Sequence, residues 1–170
     1  MLTLRPARPA DVPTLVELIR DLAAYEKLLH EVEADADALH AHLFGAHPLI
    51  EVIMAEWEGA TAGFALFFHN YSTFLTKPGI YLEDLYVKPD LRGHGIGKAL
   101  LAELARLAVS RGCGRLEWSV LDWNAPAIGF YERLGARPMD QWTVYRLSGD
   151  NLESLASLRG ASVTEAGIAD

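Results

Sequence analysis

The sequence predicts one α/β (α+β) domain with a mixed central sheet flanked by helices. Three observations carry that expectation. β-rich apolar runs alternate with stretches of helical periodicity from Leu2 to Leu147, with no internal repeat and no low-complexity block. The 170 residues suit a single core of ordinary size, assigned to residues 1–150, with 151–170 as a short, partly flexible C-terminal extension. A composition of 51% hydrophobic and 22% charged residues excludes wholesale disorder.

Residues 2–5 read as a short edge strand, stopped by Pro6 and Pro9. Asp11 stands where a helix would be capped. Pro13 falls in the first turn, and Leu15, Leu18, Ile19 and Leu22 recur at helical spacing as far as about Tyr25. A shorter helix is expected over 35–44, ended by Gly45 and Pro48. Residues 50–57 and 62–69 read as hairpin strands joined across Glu58-Gly59-Ala60-Thr61, and 70–79 as a loop. Residues 80–87 form a strong strand and 89–94 a turn. A helix over 96–110 puts Leu100, Leu101, Leu104 and Leu107 on one face, and Gly112 and Gly114 end it. A strand over 116–121, a helix over 126–134 stopped by Gly135, and a last strand over 143–147 complete the pattern. From Arg159 onward the Gly/Ala/Ser/Thr-rich chain is expected to fray.

Lys+Arg 15 against Asp+Glu 23 gives a net charge of −8, an acidic balance that argues against a nucleic-acid partner. The single cysteine, Cys113, excludes an internal disulfide and a cysteine-rich zinc site. No apolar run approaches the ~20 residues of a membrane span. The N-terminus MLTLRPARPADVP has no apolar signal core, so a cytoplasmic protein without a membrane partner is expected. His40 and His42 would fall about 200° apart around a helix, and no HExxH spacing exists, so no metal is expected.

The most informative stretch is Arg92-Gly93-His94-Gly95-Ile96-Gly97-Lys98, which follows a strand and opens a helix. Glycines there let backbone N–H groups approach a ligand, and the helix N-terminus favours negative charge. The physics points to phosphate or pyrophosphate. A Walker A loop needs a glycine at Arg92 and Ser or Thr at Ala99, so that pattern fails. A dinucleotide fingerprint needs a third glycine at Lys98 and an opening βαβ unit, so it fails too.

Arg92-x-x-Gly95-x-Gly97, after LEDLYV and Lys88-Pro89, resembles the acyl-CoA pyrophosphate loop of the GNAT N-acetyltransferase superfamily. Residues 124–136, NAPAIGFYERLGA, resemble that family's later motif N-x-x-A-x-x-F-Y-x-x-x-G-F, with Ala136 where Phe is commoner. Leu22-Ala23-Ala24-Tyr25-Glu26, Phe44-Gly45-Ala46-His47-Pro48, Tyr81-Leu82-Glu83-Asp84-Leu85 and Asp122-Trp123-Asn124 resemble the spermidine/spermine and thialysine N-acetyltransferases within it.

The resemblance implies a GNAT-like fold and a homodimer. It implies direct transfer of acetyl from acetyl-CoA to a primary amine of a small cationic substrate: a polyamine, diamine, thialysine or lysine-like amine. Leu85, Tyr86 and Val87 would pair with the pantetheine arm like an added strand. Gly93, His94, Gly95, Ile96, Gly97 and Lys98 would hold the pyrophosphate, with charge from Arg92 and Lys98. Asn124 and Ala127 would line the far end of the pantetheine. Tyr131, a phenol with ordinary pKa near ~10, would face the CoA sulfur and protonate the departing thiolate. Tyr25, Glu26 and Glu83 would meet the amine. Glu83 would act as base, directly or through water, or only hold the ammonium by charge. Strict alternation would send Glu83 and Asp84 to opposite faces. Aromatic faces at Tyr25, Trp123 and Trp142 would offer cation–π attraction.

Phe74-Leu75-Thr76-Lys77 stands where the resembled polyamine enzymes carry a tryptophan, and Arg137 where they are more acidic. Both favour a shorter amine than spermidine. A protein N-terminal or lysine acetyltransferase and an inactive CoA-binding sensor are the competing readings. The joint presence of Glu83 and Tyr131 disfavours the sensor.

Overall fold

The computed structural model describes residues 1–158. The expectation for the chain from Arg159 onward, and for the end of the C-terminal extension, lies outside the described residues. The first compact unit is Met1–Ala125 and the second begins at Pro126.

In the first unit, β1 (Leu2–Pro6), α1 (Val12–Tyr25), α2 (Ala36–Phe44), β2 (Glu51–Trp57), β3 (Ala60–Ser72), β4 (Lys77–Val87), α3 (Ile96–Ser110) and β5 (Leu116–Trp118) follow one another. The five strands lie in the order β1-β2-β3-β4-β5; the first four are antiparallel and β5 runs parallel to β4. This is the mixed sheet with flanking helices that the sequence predicts.

Each helix exists because its apolar stripe has a sheet face to cover. Leu15, Leu18 and Leu22 of α1 and Leu43 of α2 pack with Val52, Met54, Phe64, Leu66 and Tyr86 from one face. Alternation in the strands turns Ile53, Ala65, Phe67, Ile80 and Leu82, also buried, to the opposite face, where α3 contributes Ile96, Leu100, Leu101 and Leu104. α3 spans the residues its spacing predicts.

Asp11 differs from its expected role. It sits at the N-cap position in helical geometry but makes no side-chain cap bond. Its carboxylate instead accepts from Arg5 at 2.7 and 2.9 Å and from the Arg8 backbone N–H at 2.7 Å. Asp35 caps α2 as expected, accepting from the Asp37 and Ala38 N–H groups at 2.8 and 3.0 Å. The β2–β3 turn is two residues, Glu58 (φ 52°) and Gly59 (φ 84°), both left-handed as a tight hairpin requires. Residues 70–79, expected as a loop, mostly continue the β3–β4 hairpin: Asn70↔Gly79, Tyr71↔Pro78 and Ser72↔Lys77 pair. The proline there sits at a strand beginning, where a missing N–H is tolerated.

The second unit holds α4 (Ala125–Arg133), apart from its first residue, and α5 (Gly149–Ala156). Gly135, at φ 89°, lets the chain leave α4 with the Ala136 N–H returning to the Tyr131 carbonyl at 3.2 Å. Two strand expectations are overturned. β5 ends at Trp118 rather than 121, and no strand forms over 143–147 among the described residues. A period-two pattern makes a strand only where another strand pairs with it, and here none does. Among the described residues no helix is long and apolar enough to cross a membrane.

Candidate active site

β4 carries the irregularity on which the site is built. It pairs with β5 only from Ile80 to Leu82 and runs on to Val87. Beyond Leu82 no described strand lies along its outer edge. On the inner side Leu82 faces Phe67, Asp84 faces Leu66, and Glu83 has no partner, so a bulge falls at Glu83. Leu82 therefore belongs to the α3 face with Phe67. Asp84 and Tyr86 belong to the α1 face with Leu66 and Phe64.

The Lys88 N–H donates to the Ala62 carbonyl across β3 at 2.9 Å. Antiparallel bonding alternates, so Leu85 and Val87 aim their backbone groups away from β3 at the open edge. Val87's carbonyl accepts from Arg92 Nε at 3.0 Å, while its N–H points to the same side.

The glycine loop follows at once. Pro89–Leu91 make one 3-10 turn, Gly93 and Gly95 take φ of 83° and 79°, and Gly95 becomes the N-cap of α3. A β-carbon at either glycine would meet nothing within 4 Å, so it is the left-handed backbone and not crowding that calls for glycine there. No side chain caps α3, which leaves its first N–H groups available to an anion. Ile96 is buried in the core, so only its backbone serves the loop. Lys98 is exposed on the first turn. His94 folds back, its Nδ1 3.2 Å from the Leu91 and Arg92 carbonyl oxygens and its ring 5.2 Å from that of Trp57.

At the end of α1, Tyr25 OH donates to Oδ1 of buried Asn124 at 3.4 Å. The Arg92 guanidinium stands 4.5 Å from the Tyr25 ring and 5.8 Å from that of Tyr86. Lys27 Nζ stands 5.2 Å from the Trp123 ring. The aromatic faces expected to receive a substrate cation at Tyr25 and Trp123 thus already carry cations of the chain itself.

Of the carboxylates, Glu83 is exposed, while Glu26 and Asp84 are half-buried. Burial raises the Glu26 carboxyl above its ordinary value. Asp84 is pushed up to about 6, first by burial and then by the like charges of Glu83 and Glu26. The register places Asp84 on the face of Leu66 and Tyr86, and its carboxyl senses both Glu83 and Glu26. Sequence reasoning counted Asp84 only among the carboxylates that could meet a cation and could not place it, because a bulge leaves no signature in a run such as IYLEDLYV.

Tyr86 is buried, and its phenol is pushed up by burial and by Asp21. Ala127 and Tyr131 lie on α4 in the second unit, where the Tyr131 ring is 5.4 Å from that of Phe130. The structure thus brings Tyr25, Glu26, Glu83, Leu85, Tyr86, Val87, Asn124 and the glycine loop into one unit, and carries Ala127 and Tyr131 in the other.

A cavity of about 730 Å³ lies elsewhere, lined by the starts of β2, the middle of β3 and the later turns of α3. Its arginines are already engaged: Arg111 with Glu51 at 2.6 and 2.8 Å, Arg106 with Glu103, and Arg5 with Asp11 and Glu56. It shares no residue with β4 or the glycine loop. Among the described residues no group of three His, Cys, Asp or Glu side chains could hold a metal ion.

The arrangement suits a strand-like ligand with a diphosphate at one end and an ammonium near the carboxylates. Comparison with known proteins points the same way. The model of the acetyltransferase (GNAT) family matches residues 15–136. Thialysine N-epsilon-acetyltransferase of Bos taurus is 37% identical over 164 residues, covering 90% of this chain and 96% of the relative. L-ornithine N5-acetyltransferase of Arabidopsis thaliana is 33% identical over 200 residues, covering 91% and 88%. Among solved structures, an integron cassette protein from V. cholerae superposes with a TM-score of 0.77 at 27% identity, covering 92% and 98%.

Proposed function

The chain belongs to the GNAT acetyltransferase family, and from that premise we propose that it moves the acetyl group of acetyl-CoA directly onto a primary amine of a small cationic substrate. The observation that carries this reading is the open edge of β4 beyond Leu82, a strand that carries Glu83 and Asp84 and leads through the glycine loop to the uncapped start of α3.

When bound, acetyl-CoA supplies an activated acetyl thioester. The chain's residues hold and orient it. Leu85 and Val87 offer backbone groups for a strand-like arm, and the Val87 N–H is the donor for the thioester oxygen. The loop N–H groups from Gly93 to Lys98 receive the pyrophosphate, with Arg92 and Lys98 adding charge. Asn124 and Ala127 bound the far end of the arm. Tyr131 donates its phenolic proton to the departing sulfur, which a group protonated at neutral pH can do. No covalent acetyl-enzyme is required.

The amine is held by carboxylates. Exposed Glu83 meets the ammonium first, and Glu26 with Tyr25 borders its path. The relatives' substrates, thialysine and L-ornithine by name, carry a side-chain amine on an amino acid. Together with Lys77 and Arg137 in place of aromatic or acidic character, they favour such an amine over a long polyamine. A homodimer in the cytoplasm belongs to the same reading, the homodimer resting on the resemblance and the cytoplasm on the sequence expectation.

Release of free thiol from acetyl-CoA tests the reading, with thialysine, ornithine, lysine, diamines, spermidine and a peptide amine as acceptors. Turnover with amino-acid-type amines supports it. Binding of acetyl-CoA without turnover of any amine overturns it.

A further inference from the structure

We infer that Lys27 is a specificity-determining residue: its ammonium, on the face of Trp123, receives the α-carboxylate of an amino-acid substrate and turns away the second ammonium of a diamine or polyamine. This rests on the acetyltransferase reading and deepens it, because that reading favours an amino-acid amine without naming the residue that selects one.

A continuous series of contacts leads from the open edge of β4 to Lys27. Arg92 Nε donates to the Val87 carbonyl at 3.0 Å, and its guanidinium stands 4.5 Å from the Tyr25 ring. The Tyr25 ring lies 6.2 Å from that of Trp123, tilted by 54°. Lys27 Nζ stands 5.2 Å from the Trp123 ring. Tyr25 and Trp123 are therefore an aromatic pair with a cation of the chain against each ring. Both rings also reach solvent, at 39% and 50% exposure. A wall that already holds two cations repels a third and suits an anion.

The two cations differ in what they are free to do. Arg92 is tied to the Val87 carbonyl and to two tyrosine rings. Lys27 is exposed, and among the described residues its ammonium forms no ion pair, not even with Glu26 beside it. Glu26 instead acts with Glu83 on Asp84. Neighbouring residues at the end of α1 thus serve opposite charges, Glu26 among the carboxylates and Lys27 on Trp123. An amino acid, which carries both charges, matches that pattern. A molecule bearing only ammonium groups does not.

The backbone shows that this side chain is kept against local preference. The Lys27 N–H donates to the Ala24 carbonyl at 3.1 Å and the Leu28 N–H to the Ala23 carbonyl at 2.8 Å. α1 therefore ends in a Schellman turn with Lys27 at its left-handed position, φ 62°. Glycine takes that position without strain. Among the described residues the other non-glycine residues with positive φ, Glu58 and Thr76, both lie in hairpin connections. A long side chain retained where glycine is easier points to use of that side chain.

Three matched acceptors test this on the full chain: lysine, lysinamide and cadaverine, which share a primary alkylamine and differ at the far end. Wild type should use lysine best. In Lys27→Met the ratio of kcat/KM for lysine over cadaverine should fall about 10-fold, through KM rather than kcat. Lys27→Arg should retain the ratio. Acetyl-CoA affinity should change by less than about twofold in each variant. Lys27→Gly should lose the same preference while its Tm stays level or rises, because glycine suits the left-handed backbone.

A wild type that uses lysinamide or cadaverine as well as lysine would overturn this assignment and leave the acetyltransferase reading standing. So would an unchanged ratio in Lys27→Met, the result expected of a lysine that serves only the helix dipole. No turnover of any amine would instead overturn the acetyltransferase reading, and this assignment with it.

Discussion

Replacing Asp84 with Asn should make the protein more stable at high pH and leave it nearly unchanged at low pH. In the folded chain this carboxyl is raised from an ordinary 3.8 to about 6, chiefly by burial and then by Glu83 and Glu26. A folded-state value above the unfolded one means that the folded protein holds this proton more tightly. Well below pH 3.8 the group is protonated in both states and has no effect on stability. As pH rises through 6, the folded state must accept a buried charge that the unfolded state carries in water. At about 1.4 kcal/mol for each tenfold change in proton affinity, the gap between 3.8 and about 6 amounts to about 3 kcal/mol above pH 7. Urea unfolding of wild type and Asp84→Asn at pH 4 and pH 8 measures it. The direct effect of the amide is the same at both pH values, so the difference of differences isolates the ionisation. The variant should gain up to about 3 kcal/mol relative to wild type between the two pH values. No gain, or a loss, would refute the placement of Asp84 among buried and like-charged neighbours. Lost activity with raised stability would mark a site held at the fold's expense.

Two further outcomes are expected. Tyr131→Phe should lower kcat by about 10²-fold while acetyl-CoA affinity, measured by calorimetry, changes by less than about twofold; equal small effects on both would remove Tyr131 from the acid's role. Gly63 lies opposite Val87, and a β-carbon there would collide with the Tyr86 carbonyl oxygen and press on the Val87 Cα at 3.1 Å. Gly63→Ala should therefore pry β3 from β4, lower stability by about 1–3 kcal/mol and weaken acetyl-CoA binding, and an unchanged Tm would contradict that packing.

What the sequence made legible was whatever rests on local chemistry. The helix over Ile96–Ser110 follows from its leucine spacing, and the Glu58-Gly59 turn from a residue that tolerates left-handed backbone. The glycine loop was equally plain, because its glycines and the helix behind them are adjacent in the chain. The family was legible from two motifs about thirty residues apart, and the match over residues 15–136 agrees.

What stayed hidden depends on pairing. Thr143–Leu147 alternates like a strand but lacks a strand beside it. Residues 70–79 looked like a loop because of Asn70, Pro78 and Gly79, yet β3 and β4 pair across most of them. The bulge at Glu83 is a matter of register between two strands far apart in sequence. Two properties turned on it: which face Asp84 takes, and where the edge of β4 opens. The neighbours of Tyr25 were hidden for the same reason. Arg92 and Lys27 reach its ring and that of Trp123 only through tertiary contact.

The central claim is that this chain transfers acetyl from acetyl-CoA to a small cationic amine. Thiol release from acetyl-CoA across the amine panel tests it most directly. Turnover greatest with thialysine, ornithine or lysine, and weaker with spermidine, is the predicted result. Saturable acetyl-CoA binding with no thiol released above the amine-free rate, for any amine tested, would contradict it.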